Sequence, residues 1–319
     1  MKSVLSLGLF LLVCSLPPRA IAGDAGMPKQ LPGCAKELPA DASEESIRIN
    51  CEIPIKYRQD VMMAEVIGSM IRMHDASAWL TTDALVEKGA LKDFEGTGKG
   101  WLTLENGDSI EVRYFSENDG QVRAFASASL DTKAMKAADA RILSPSEAMT
   151  ERERRLMRAK SLVLSRDDYF VCTKHPPNTV VTEFEEDGIS EILVFVMSAW
   201  ADKDAAPLGG YHMYRVSADG NTIIDHFSQT KACILTNERE LEKAKFLMLS
   251  HFNSATPTMF HVFMMRQFRK PIFVMTAQNG ILWKVDDAGI KIVKMPDKDQ
   301  EQTAMPTVVD GHKKGGAVP

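Results

Sequence analysis

The stretch over residues 101–129, WLTLENGDSIEVRYFSENDGQVRAFASAS, determines the predicted fold of this chain. Short segments of alternating apolar and polar residues are separated at Asn106-Gly107 and at Asn118-Asp119-Gly120. Asn-Gly and Asp-Gly favour tight hairpin turns because the turn positions need a positive φ, which these residues adopt with little strain. The stretch therefore predicts a three-stranded antiparallel meander.

A helix is predicted immediately before this meander. From Tyr57 onward, Met62, Val66, Met70 and Met73 recur at the spacing of one helix face, and a second short helix is predicted over 82–88. The first folded unit is therefore predicted over 56–135, as a helix plus a three-stranded meander.

A larger unit is predicted over 144–295. Ser144-Pro145-Ser146-Glu147 has the pattern of a capping box and predicts a helix over 145–163. Further strands are predicted at 168–172, 179–184, 190–200, 211–217, 221–227, 258–265, 271–277, 281–285 and 290–294. A helix capped by Thr236 or Asn237 interrupts them, and its predicted apolar face comprises Leu241, Ala244, Met248, Leu249 and Phe252. The predicted fold class is α+β, with antiparallel β-meanders each preceded by a helix and stabilised by disulfides.

The N-terminus predicts export. Lys2 precedes a short apolar run over 4–16, and Ala20-Ile21-Ala22 before Gly23 matches a signal-peptidase site. Residues 1–22 are thus a predicted signal peptide, cleaved between Ala22 and Gly23. The run is too short to cross a bilayer, which needs about 20 apolar residues, so no stable membrane anchor is expected. A periplasmic or secreted location follows.

Four cysteines remain after signal removal, namely Cys34, Cys51, Cys172 and Cys233. An even number in an oxidising compartment predicts two disulfides. Three pairings are open, and sequence proximity favours Cys34 with Cys51 and Cys172 with Cys233. Neither a C-x-x-C pair nor a Cys/His ligand spacing is present, so no metal or other cofactor is predicted.

Composition limits the partners. Of the 319 residues, 45% are hydrophobic and 25% charged, which is ordinary globular composition. Loss of Lys2 and Arg19 with the signal changes the formal charge from −5 to −7, which disfavours nucleic acid. Residues 23–55 are predicted to be an extended leader holding the first disulfide, and 296–319 a disordered tail.

Catalytic signatures are weak. The chain has no G-x-S-x-G, no H-E-x-x-H and no calcium-loop pattern. His212 and His261 are the candidate general bases, each placed beside or within a predicted strand, with Asp225 as the carboxylate partner. The alternative interpretation is a strand histidine whose nitrogens are satisfied by hydrogen bonds.

Methionines around His74 allow two interpretations. Met70-x-x-Met73-His74 could bind a soft metal, because thioethers bind Cu(I). The same residues also form the apolar stripe of the first helix, where methionine fills a core. Core packing is the favoured interpretation.

One strand offers an interaction face. Tyr211, Met213 and Arg215 share one side of the predicted strand 211–217, and Tyr, Met and Arg are enriched at interfaces. The alternative is a strand packed under a helix, with Arg215 reaching solvent.

These features predict a non-catalytic binding or interaction module of the bacterial cell envelope, whose partner is an envelope protein or a small ligand. Two alternatives remain open. One is a hydrolase of an envelope polymer or peptide with a histidine general base, and the other is a secreted inhibitor or modulator of another enzyme.

Overall fold

The computed structural model describes residues 43–90, 97–186, 188–200, 202, 204–230 and 232–293. The predicted signal peptide with its cleavage site, Cys34 and the predicted tail lie outside the described residues. The described part of the predicted leader contains a helix rather than extended chain. This helix, Glu44–Glu52, is capped by Ser43, whose side chain accepts a hydrogen bond from the Ser46 N–H at 3.1 Å.

The described elements comprise five α-helices and fourteen strands. The helices are α1 (Glu44–Glu52), α2 (Arg58–Glu87), α3 (Glu151–Leu164), α4 (Glu238–Lys243) and α5 (Met259–Phe268). The strands are β1 (Gly98–Asn106), β2 (Ser109–Asn118), β3 (Gln121–Asp131), β4 (Lys136–Ala148), β5 (Asn178–Glu186), β6 (Ile189–Met197), β7 (Ala206–Pro207), β8 (Tyr211–Ser217), β9 (Ile223–Ser228), β10 (Leu235–Thr236), β11 (Leu247–His251), β12 (Ile272–Thr276), β13 (Ile281–Asp286) and β14 (Gly289–Ile292).

The strands of the described chain form three four-stranded sheets and one two-stranded sheet. The orders are β1-β2-β3-β4, β5-β6-β8-β9, β11-β12-β13-β14 and β10-β7. Every pairing is antiparallel except that of β11 with β12, which is parallel. The predicted α+β class with antiparallel sheets is confirmed.

Helix α2 is a single helix of 30 residues where the sequence predicted two shorter ones. Its first half buries Val61, Ala64 and Ile71 in a core shared with β5, β6, β8, α5 and the last sheet. Its second half buries Leu85 against the first sheet. At about 1.5 Å per residue, α2 spans roughly 45 Å and contributes to the cores of both predicted units.

Helices α2 and α5 cross in close contact at Gly68. A Cβ at this position would lie 2.4 Å from the Met259 carbonyl oxygen and 2.6 Å from Val262 Cβ. Only a residue without a side chain therefore allows the two helix backbones to approach this closely.

The sheet β5-β6-β8-β9 lies between two cores. On one face, Leu193, Phe195 and Tyr211 pack beneath α5. On the other, Val194 and Tyr214 pack against α3 and the first sheet. Because both faces are covered, β6 is apolar along most of its length, as the sequence predicted for a central strand.

The helix predicted over 145–163 is wrong at its start. Residues up to Ala148 extend β4 along β3, and α3 begins only after Thr150. Arg123 Nε donates to Ser146 Oγ at 3.0 Å, which ties the predicted cap to the sheet. The real capping box is formed by Thr150 and Glu153. Two adjacent segments match the same cap pattern, and strand pairing decides between them.

The helix predicted after Asn237 is shorter than expected. Asn237 does cap a helix, since its side chain accepts from the Glu240 N–H at 2.8 Å, but α4 ends at Lys243 and 247–251 form β11. Pairing with β12 places Leu247 and Leu249 against the core, and Met248 remains exposed. A period of two thus replaces the predicted helical period.

The strand predicted over 258–265 is wrong, because α5 occupies this segment. Phe260, Val262, Phe263 and Met264 are all buried, so the helix is buried around most of its circumference. A short, continuous apolar run does not distinguish a buried strand from a buried helix.

The Cys172–Cys233 disulfide is present, with a Cα–Cα distance of 5.3 Å. Cys51 is also disulfide-bonded, and its predicted partner, Cys34, lies outside the described residues.

The strand predicted over 168–172 is wrong, because this described segment forms no strand. The Cys172 N–H instead donates to Ser198 Oγ at 2.8 Å.

Gly68→Ala should destabilise the protein by about 1–3 kcal/mol, because the added methyl group overpacks the crossing of α2 and α5. The direction of this change in stability is informative, because Gly→Ala at an exposed position inside a helix normally raises the stability. The measurement is the free energy of unfolding in urea, with Val66→Ala as the control on the half-exposed face of the same helix. An unchanged or raised stability in Gly68→Ala would contradict the packing described above.

Candidate functional site

His212 lies in β8 and is buried. Its Nε2 lies 2.9 Å from the Phe170 carbonyl oxygen, and its Nδ1 lies 3.1 Å from His226 Nε2. Burial lowers the pKa of His212 to about 4. Both ring nitrogens therefore lie within hydrogen-bond distance of neighbours that fix the ring. This arrangement matches the alternative interpretation, a strand histidine whose nitrogens are satisfied by hydrogen bonds.

Asp225 is not joined to either candidate histidine by a hydrogen bond in the described chain. It lies opposite Arg215 in the β8–β9 register, and its Oδ1 accepts from the His226 main-chain N–H at 2.8 Å. The carboxylate near the His212–His226 pair is Asp168, which accepts from the Tyr214 hydroxyl at 2.8 Å.

The face formed by Tyr211, Met213 and Arg215 is largely covered. Tyr211 is fully buried, stacks on Phe260 of α5 with ring centroids 5.6 Å apart, and donates its hydroxyl to Pro207 O at 2.6 Å. Arg215 reaches outward and forms an ion pair with Glu191 at 2.7 Å. This strand packs beneath a helix.

His261 lies in α5, at the floor of a groove. The groove, called the β11 groove below, runs between Gln229, Thr230, Ala232 and Ile234 on one side and residues 248–253 on the other, with His261 and Met264 at its base. Its volume is about 560 Å³. Cavities of a few hundred to a thousand Å³ with mainly apolar walls are typical ligand sites.

Buried polar groups line the deep part of the β11 groove. His261 Nε2 lies 2.9 Å from the Gln229 carboxamide nitrogen, and His261 Nδ1 accepts from the Thr258 N–H at 2.9 Å. His251 packs edge-on against His261 with ring centroids 4.9 Å apart, and its Nε2 lies 2.9 Å from Ser254 Oγ.

The described lining of the β11 groove carries no formal charge. None of its lining residues that the structure describes is Asp, Glu, Lys or Arg. Burial lowers the pKa of His251 to about 4, and burial together with His251 lowers the pKa of His261 well below its usual value. Both histidines are therefore uncharged at neutral pH, and the groove suits an uncharged, mainly apolar ligand.

One wall of the groove is a strand with a free edge. β11 is the outermost strand of its sheet, and Leu247 N–H and His251 O bond toward β12. Successive strand residues direct their main-chain groups to opposite edges, so those of Met248 and Ser250 point away from the sheet. Among the described residues, no hydrogen bond to these main-chain groups is present.

The rim of the groove exposes large apolar side chains. Ile234, Met248 and Phe252 line the groove and are 51%, 64% and 70% exposed. Clustered exposed apolar side chains commonly mark an interaction site, whereas single ones do not.

The wall opposite β11 is fixed by the disulfide. Cys233 lies between Ala232 and Ile234, and its bond to Cys172 ties this segment to the chain before β5. The Leu208 N–H donates to the Ile234 carbonyl at 2.8 Å. At Gly209 a Cβ would lie 2.8 Å from the Ala232 carbonyl oxygen, so glycine permits this close packing.

A second cavity surrounds His74, which the sequence placed in the methionine stripe of α2. The volume of this His74 cavity is about 430 Å³, and its walls come from α2, β1, α3, β5 and β6. His74 is buried and bonded to Thr103 and Glu105 of β1. Little in the sequence indicated this contact, because Thr103 and Glu105 lie about 30 residues from His74 along the chain.

Comparison of the chain with protein-family models, with curated proteins and with solved structures finds no match. Over the described ranges, no three His, Cys, Asp or Glu side chains converge as a metal site. No helix of the described chain has the length and apolar composition that a membrane span requires.

Because His212 and His251 are buried, we expect the free energy of unfolding to fall as the pH falls from 6.5 toward 4. Their pKa is lower in the folded protein than in the unfolded chain, whose histidines titrate near 6.5, so protons bind preferentially to the unfolded chain in this range. His251→Asn should reduce the slope by about 1 kcal/mol per pH unit between pH 6.5 and 5. Urea unfolding at several pH values measures this slope, and an unchanged slope would contradict the neutral, buried state of His251.

Proposed function

We propose that this protein is an exported binding module of the cell envelope, and that the β11 groove receives, without catalysis, an extended apolar segment of a partner polypeptide. The observation that carries the proposal is the free edge of β11 beside an apolar groove. Partners that add a strand to a free sheet edge use main-chain hydrogen bonds for affinity and side-chain pockets for specificity.

The main-chain groups of Met248 and Ser250 favour a polypeptide ligand. An unpaired strand edge offers a row of donors and acceptors that only another extended chain matches in spacing. Natural proteins usually shield such edges with charged residues or proline, and β11 has neither. An edge kept open beside exposed Met248 and Phe252 is consistent with a surface that is covered in a complex.

The composition of the groove defines the segment. Its walls are apolar and its described lining carries no charge, so alternate apolar side chains of the partner would enter it. Polar side chains in this lining, among them Gln229 and His251, would orient a hydroxyl or amide of the ligand. A charged side chain would lose its hydration there without gaining an opposite charge.

The disulfides support export. Cys172–Cys233 is formed and Cys51 is also disulfide-bonded, and structural disulfides are typical of oxidising compartments outside the cytoplasm. The apolar run and cleavage pattern of residues 1–22 are the sequence basis for the same proposal.

Selection from a library of random peptides, displayed against the oxidised protein, tests this function. We expect enriched peptides with alternating apolar residues, and Met248→Asp or Phe252→Asp should weaken their binding at least about tenfold. Ile189→Asp, at a site 63% exposed on another hairpin, is the matched control and should leave the affinity unchanged.

Methylated peptides separate strand addition from simple apolar contact. Methylation of the main-chain nitrogen at every second residue removes the donors on one edge of the peptide. One of the two alternate patterns should abolish binding and the other should be tolerated. Equal effects of both patterns, or binders insensitive to Met248→Asp and Phe252→Asp, would contradict the proposal.

A further inference from the structure

A buried histidine in α2 joins a hydroxyl and a carboxylate of β1. His74 Nδ1 lies 2.7 Å from Thr103 Oγ1, and His74 Nε2 lies 3.2 Å from Glu105 Oε1. Thr103 and Glu105 are two residues apart in a strand, so they share one face of the sheet and meet the two nitrogens of one ring. The three side chains form a continuous hydroxyl–imidazole–carboxylate chain.

The carboxylate determines which ring nitrogen carries the proton. The hydrogen bond from His74 lowers the pKa of Glu105, so this group is an ionised acceptor. The Nε2–H therefore donates to Glu105, and Nδ1 is left as the acceptor for the Thr103 hydroxyl. A base oriented by a third group and bonded to a hydroxyl is the arrangement that activates nucleophiles.

The chain of groups opens into the His74 cavity. His74, Thr103 and Glu105 all line this cavity, although His74 and Thr103 are only 1% and 4% exposed. Among the histidines that the structure describes, no other contacts both a hydroxyl and a carboxylate. Of the candidates from the sequence, His212 contacts a main-chain carbonyl, and His261 contacts a carboxamide and the Thr258 hydroxyl; among the described residues, neither is bonded to a carboxylate.

The described lining of the cavity carries two arginines and four glutamates. Arg152 and Arg155 line it and are held by Glu183, with N–O distances of 2.7 and 2.8 Å. Because the carboxylates outnumber the arginines in this lining, the cavity favours an uncharged substrate such as an ester over an anionic one. A polar cavity of about 430 Å³ suits a small acyl group with a polar leaving alcohol.

From these contacts we propose that the His74 cavity is an acyl-transfer site for carboxylic esters, in which Thr103 is the nucleophile, His74 the general base and Glu105 a positioning residue. This activity is independent of the β11 groove. The two sites lie on different sheets, and the lining of the two cavities shares no residue.

In the first step, Thr103 Oγ forms a bond to the ester carbonyl carbon and transfers its proton to His74 Nδ1. The bond from that carbon to the alkoxy oxygen breaks, and His74 returns the proton to the departing alcohol. In the second step, water attacks the acyl-threonine and gives a proton to His74. Thr103 leaves as the protonated hydroxyl, and the net reaction is ester plus water to acid plus alcohol.

The experiment is hydrolysis of p-nitrophenyl acetate by the mature oxidised protein, followed by mass spectrometry of the acid-quenched protein to locate the acetyl group. We expect an acetyl adduct on Thr103. Thr103→Val, which keeps the side-chain shape, should lose both adduct and turnover, and Thr103→Ser should retain them. Thr132→Val, on an exposed turn, is the matched control and should behave as the parent protein.

The test of Glu105 needs a measurement that would stay the same if Glu105 had only a structural role. Glu105→Gln should lower kcat by about 10²–10⁴-fold with little change in KM, and Glu105→Asp should restore part of the rate. Thermal unfolding of each variant shows that the fold is retained. A folded parent protein without an adduct on Thr103, or turnover that persists in Thr103→Val, would overturn the proposal and leave His74 as a structural link between α2 and β1.

Discussion

The close approach of α2 and α5 at Gly68 is the constraint on which the rest of the structure depends. With no Cβ at Gly68, the backbone of α5 packs directly on α2, and α5 in turn covers one face of the sheet β5-β6-β8-β9. The remainder of α2 continues past this crossing to the first sheet. One helix therefore sets the positions of all three large sheets.

Both candidate sites follow from this arrangement. The position of α5 places His261 and Met264 beneath β11, which gives the groove its floor. The disulfide fixes the opposite wall, so the groove exists before a partner binds and little ordering is needed on association. The second half of α2 brings His74 to β1, where the ring meets Thr103 and Glu105. The fold thus builds a mainly apolar groove and a separate polar cavity on one scaffold.

The turns and helix caps that depend only on neighbouring residues could be predicted from the sequence. The Asn106-Gly107 turn and the Asn237 cap are short-range features, and both are present in the structure. Long-range packing decided the rest. α5 has a nearly continuous apolar run that matches a buried strand equally well, and β11 is a strand because it pairs with β12. His74 was hidden in a stripe of methionines, because its partners lie on another element and no spacing along the chain connects them.

In the proposed complex, β11 gains a neighbouring strand when the groove is occupied. Amide hydrogen exchange at Met248 and Ser250, measured by NMR in the free protein and with a selected peptide bound, detects this new pairing. These two outward amides should exchange rapidly in the free protein and become protected in the complex, while the protection of Leu247 and Leu249 changes little. Rapid exchange at Met248 and Ser250 in a saturated complex would rule out strand addition at β11.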